Sequence, residues 1–200
     1  MIARVFSWSW NRFRPEAGWL PFFLLITAEA CLLTAVSEVQ WVPESHVIIP
    51  AGLWGLLLGI LLAQRPLRAL PAWLLITIYG GLFVVIWLGH LSPPLKLWVS
   101  DWPAFGQYVR QNSALFADRM GSWLVAVFSG SRSQETIGFA LGIGLGAWFS
   151  AAFAAWSVFR LRRPLPGLAV MGVALALNGY FGDASLQWMV FFIGLAVMVT

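Results

Sequence analysis

The chain has 200 residues, of which 60% are hydrophobic and 10% charged, and carries a formal net charge of +4. A soluble domain carries about 25% charge, so this chain has too little polar surface for a water-soluble globule, and its apolar content rules out a disordered one. What remains is an all-α integral membrane protein, a polytopic helical bundle; the single cysteine, Cys31, excludes a disulfide framework and any cysteine-rich metal site within one chain.

Residues 5–14 place Trp8 and Trp10 beside Arg12 and Arg14, a pattern suited to a segment lying on an anionic inner leaflet. The apolar run that follows is too long for the core of a cleaved signal peptide, and further runs come after it. A membrane helix needs about 20 mostly apolar residues. The first predicted span is 18–36, with Glu29 and Cys31 inside it. The second is 47–63, carrying Gly55 and Gly59, and the third is 72–89.

An outer interfacial region occupies 91–136. Ser92-Pro93-Pro94 stops the third span, and Asp101 before Trp102-Pro103 predicts a helix start with Asp as N-cap. Apolar residues then recur at Phe105, Tyr108, Val109, Leu115, Phe116, Met120, Trp123, Leu124 and Val127. Their spacing of mostly three or four predicts an amphipathic helix in the outer interface, or two short ones broken at Gly121. Such a helix either closes the bundle against lipid or offers a docking surface. Residues 129–135 read as a flexible loop.

The fourth span is 137–159, the fifth 165–181 and the sixth 186–200. The fourth carries small residues every four positions, at Gly138, Gly142, Gly146, Ser150 and Ala154, and is predicted to pack on a neighbouring helix along that ridge. Gly55 and Gly59 are the shorter counterpart in the second span. No polar flank follows the sixth span, so the chain is expected to be part of a longer protein.

Charge placement sets the expected orientation. With the N-terminus cytoplasmic, Arg4, Arg12, Arg14, Arg65, Arg68, Arg160, Arg162 and Arg163 lie inside, with Glu16 the one acid there. Lys96, Arg110, Arg119, Arg132 and six carboxylates lie outside. Trp19, Trp41, Trp73, Trp87, Trp156 and Trp188 fall near span ends, where an indole sits among headgroups. Trp54 and Trp148 lie deeper and are expected between helices. A pigment or quinone role is the alternative reading of the tryptophans.

Glu29 is the one ionisable residue deep in a span. Such a residue is by default a functional candidate, as a proton or substrate contact; as a structural group it is a protonated or hydrogen-bonded carboxyl facing a neighbouring helix. His46 and His90 fall at outer span ends, and two histidines fall short of the three protein ligands of a zinc site. The sequence holds no nucleophile motif, phosphate-binding loop or metal-ligand spacing. No catalytic residue, cofactor or metal site is expected, and no nucleic-acid partner.

The stretch 148–166, from Trp148-Phe149 through Phe159-Arg160-Leu161-Arg162-Arg163-Pro164, is followed by Asn178-Gly179-Tyr180-Phe181. It resembles the N-terminal membrane region of bacterial membrane-anchored transglutaminase-like proteins over 101–200, and the first hundred residues are similar in topology alone. The resemblance implies a bacterial inner-membrane protein whose extracytoplasmic Cys-His-Asp domain follows further spans. Cys31, within the first span, does not match that nucleophile. The expected function is a non-catalytic membrane anchor and scaffold, with the lipid bilayer and a downstream domain or other membrane subunits as partners. Two alternatives stay open: an accessory subunit of a photosynthetic or respiratory complex, and a small proton-coupled transporter resting on Glu29.

Overall fold

The computed structural model describes residues 19–94, 97 and 102–199. The segment 5–14 with its tryptophans and arginines, Asp101 as N-cap, Lys96 and Thr200 lie outside the described residues. Among the described residues seven α-helices follow in order: α1 (Trp19–Val39), then, after a 3-10 turn (Pro43–Val47), α2 (Ile48–Ala63), α3 (Ala69–Leu88), α4 (Trp102–Ser129), α5 (Ile137–Phe159), α6 (Pro164–Gly182) and α7 (Leu186–Val199). Five segments, α1, the 3-10 turn with α2, α3, α5 and α6, are long and apolar enough to cross a membrane. At about 1.5 Å per residue, the 14 residues of α7 reach roughly 21 Å, short of the ~30 Å hydrocarbon core. The chain is thus a multi-pass helical membrane protein.

Local chemistry accounts for the helix ends. Pro164 sits in the first turn of α6, where its missing N–H costs nothing. α4 closes with Gly130 in the left-handed region (φ 67°) and with the Ser131 N–H bonded to the Ala126 carbonyl at 3.0 Å. α4 runs unbroken through Gly121, so the predicted break is absent; a glycine costs an exposed helix only about 1 kcal/mol relative to alanine.

α5 is the hub, packing against α2, α3 and α6 and touching α1 and α4. Its contact with α2 is backbone to backbone. A Cβ on Gly55 would meet the Trp148 carbonyl oxygen at 2.5 Å, and one on Gly59 would meet Ala152 Cα at 2.8 Å. Gly55 and Gly59 thus leave room for the α5 backbone. Trp148 is buried, as expected, and lies over Gly80 of α3 while donating its indole N–H to the Ile76 carbonyl at 3.0 Å. Trp54 is not between helices: it is 54% exposed and leans on Phe83.

The small-residue ridge of α5 is not one packing face. Gly138 lies under the Trp123 ring of α4, Gly142 and Gly146 have open space where a Cβ would stand, and Ala154 meets Gly167 of α6. Ser150 is buried and bonds back to the Ala147 carbonyl at 3.1 Å. The reason is periodicity. At 3.6 residues per turn each four-residue step overshoots by about 40°, so from 138 to 154 the ridge turns about 160° around the helix. The face that stays fixed alternates steps of four and three, through Gly144, Trp148, Ala151 and Ala155, and these four are buried.

This arrangement separates two glycine substitutions. Gly55→Leu forces α2 off the α5 backbone and should destabilise by about 1–3 kcal/mol or more, the usual cost of overpacking. Gly142→Leu places its side chain in open space and should leave the midpoint of thermal unfolding in detergent nearly unchanged. Equal midpoints for Gly55→Leu and the parent would refute the assigned contact.

Candidate functional site

Two places in the bundle hold polar groups that apolar packing does not explain: one end of the bundle and the middle of α1. At that end the chain folds back from α1 through the 3-10 turn, and the N-terminus of α5 and the flank of α4 meet there. Arg119 of α4 donates from Nη2 to Glu44 Oε1 at 2.6 Å and from Nε to Glu135 Oε2 at 2.9 Å. Thr136 donates to Glu44 Oε2 at 2.9 Å. Glu44 is buried with both oxygens engaged, and hydrogen bonds to Glu44 and then Glu135 push the Arg119 guanidinium further above its ordinary value, so its charge is permanent. The 3-10 turn is thereby clamped to α4 and to the start of α5, and Trp123 completes the contact by covering Gly138. Sequence analysis placed these charges on one side but did not pair them; pairing across 75 residues leaves no periodic mark.

Around the same end, Asn178 of α6 accepts from the Trp41 indole N–H at 2.8 Å and donates to the Ala35 carbonyl of α1 at 2.8 Å. The sequence signal was available, since a lone Asn in an apolar span marks an interhelical bond. Trp188 donates to Glu38 at 2.8 Å. His46 and His90 stand ring against ring here, as taken up below. A mostly apolar cavity of about 820 Å³ lies between α1, α5 and α6, and Gly146 is part of its wall.

The opposite end is chemically different. Among the described residues it carries Arg65, Arg68, Arg160, Arg162 and Arg163 and no acid. Arg160 donates to the carbonyls of Arg65 and Leu67 at 3.2 and 3.1 Å, tying the α2–α3 loop to the end of α5, and stacks on Trp156 at 5.8 Å.

Glu29 lies in the middle of α1, fully buried against α2, where a Cβ on Gly52 would stand 3.0 Å from its Oε1. Neither carboxyl oxygen has a hydrogen-bond partner among the described residues. Cys31, two residues on, is a free buried thiol. No three His, Cys, Asp or Glu side chains among the described residues gather where one metal ion could sit.

The clamp makes a local prediction. Hydrogen bonds to charged groups contribute about 1.5–3 kcal/mol, less where a partner is as exposed as Arg119 at 37%. Arg119→Ala should therefore speed amide exchange in the second half of α4 roughly tenfold, with Arg110→Ala as the silent control. Unchanged exchange in Arg119→Ala would show that the clamp does not hold α4.

Compared with protein-family models, curated proteins and solved structures, the chain matches none of them.

Proposed function

We propose that the chain is the membrane-embedded anchor and scaffold region of a transglutaminase-like protein of a bacterial inner membrane, non-catalytic in these residues. The observation that carries the reading is α4. It is a 28-residue amphipathic helix with no fully buried residue, strapped to one end of the bundle by the Arg119 clamp. A helix held that way forms a shelf at the membrane surface on which an attached domain or neighbouring subunit can rest. The arginine-only end supports an orientation with that end and the N-terminus in the cytoplasm, since basic loops stay inside. The likeness of 148–166 and of Asn178 with its aromatic neighbours to the transglutaminase-like membrane region supports the family assignment.

Two measurements test this. A cysteine at Ser131 should react with an impermeant thiol reagent added to intact cells, and one at Arg162 should be shielded. The genomic reading frame should continue past Thr200 into a soluble Cys-His-Asp domain. Labelling at 162 would overturn the orientation, and a frame with no such domain would overturn the anchor.

Glu29 favours a second reading, a proton-coupled device, because a carboxyl without partners at mid-membrane is costly to keep for packing alone. Glu29→Gln separates the two. For an anchor, the variant should match the parent in stability and in any attached activity. A proton-coupled flux that falls by orders of magnitude in a normally folded Glu29→Gln protein would instead establish the transporter.

A further inference from the structure

The chain contains two histidines, 44 positions apart, and the fold brings them together. His46 closes the 3-10 turn that leads into α2, and His90 follows the C-terminus of α3. Their ring centroids are 5.8 Å apart with the planes 19° from parallel. Both are exposed. His90 holds a left-handed backbone (φ 48°), closing α3 with the Leu91 N–H on the Ile86 carbonyl at 2.9 Å, a place where glycine is the usual residue. Histidine tolerates that conformation better than most side chains, and the turn carries the imidazole to the 3-10 segment.

We propose that His46 and His90 form a two-imidazole site for a divalent transition-metal ion at this end of the bundle. Two imidazoles bound cis to one ion at about 2.0–2.1 Å per nitrogen place their ring centres roughly 4.5–5 Å apart, about 1 Å closer than the 5.8 Å found here. Side-chain rotation at both exposed positions would have to close that distance and turn one nitrogen of each ring onto the ion. Imidazole suits copper, nickel and zinc. The carboxylate of Glu44, two residues before His46, is already engaged at both oxygens by Arg119 and Thr136. The protein thus supplies two cis nitrogens, and water or an outside ligand completes the shell. That arrangement fits the tetragonal N,O preference of Cu²⁺, which also stands highest in the divalent series. The backbones bearing the two ligands are fixed before the ion arrives, so binding costs ring ordering and little chain entropy. A bound ion would also link the 3-10 turn to the end of α3.

The test is titration of the purified full chain in detergent micelles with Cu²⁺, Ni²⁺ and Zn²⁺ chlorides, read by calorimetry, with the electron paramagnetic resonance of the copper complex alongside. One ion per chain should bind, copper tightest, with a copper spectrum showing two equivalent nitrogens. His46→Ala and His90→Ala should each weaken binding at least tenfold and leave one nitrogen in the spectrum. Both positions are exposed, so unfolding should not intervene; an unchanged thermal midpoint without metal checks this. Failure of the parent to bind, or full affinity in either single variant, would overturn the site. None of these outcomes bears on the anchor reading, which stands or falls separately.

Discussion

The fold depends on the direct approach of two backbones, α2 at Gly55 and Gly59 against α5 at Trp148 and Ala152. In lipid no hydrophobic force draws helices together, since acyl chains are as apolar as leucine; close van der Waals packing must do it. Glycine supplies that packing by letting main chains touch. The same contact fixes the rotation of α5, which turns Trp148 toward α3. There Gly80 leaves room for the indole, and the Ile76 carbonyl takes its N–H. On the other side, Gly167 of α6 closes on Ala154. Three helices are thus seated on α5 by three glycine-made gaps. α1 and α7 attach to this core, α1 through Asn178 and the α2 face, and α7 against α1 and α6.

Polar groups inside the bilayer show how little freedom the design leaves. An unpaired polar group in hydrocarbon costs several kcal/mol. Trp148 and Asn178 are accordingly paired, Asn178 at both ends of its amide. Thr27, Thr34 and Thr77 return their hydroxyls to carbonyls four residues back. Glu29 and Ser157 break this rule, and Glu29 does so at the narrow contact with Gly52, where a larger residue on α2 would strike the carboxyl. Apolar packing would be served better by leucine at that position.

The spans were legible because long apolar runs have one use. The fourth matches end to end at 137–159 and the first, second, third and fifth to within about three residues, whereas the expected sixth is a 14-residue helix shorter than a span. What failed were statements about faces. A four-residue spacing of small side chains looks like a stripe on paper and winds half-way around a real helix, so Gly142 and Gly146 ended in open space while Gly144, between them, packs on Val84. Trp54 was assigned to the interior by depth alone, but depth does not say which side of α2 meets lipid. The clamp and the histidine pair were illegible for a different reason: each joins elements whose proximity is created by the tertiary fold, and no local pattern encodes it.

Length does not keep α4 out of the list of spans. Its 28 residues would extend about 42 Å at 1.5 Å each, more than the ~30 Å core requires. Composition does. Arg110, Asp118 and Arg119 fall in its middle, and each ion at the centre of a span costs about 2.5–3.5 kcal/mol even on the lenient insertion scale. Asp118 and Arg119 are sequence neighbours, about 100° apart around the helix, so they cannot cancel each other on one face. A surface position removes these costs but leaves the helix free to slide, because its apolar residues fit any part of the interface equally well. Arg119 ends that freedom. It reaches two carboxylates that belong to different parts of the bundle, so only one placement of α4 satisfies both. The charge that keeps α4 too polar to count as a span is therefore the same charge that ties the helix to the rest of the bundle, and its contribution is to position more than to stability.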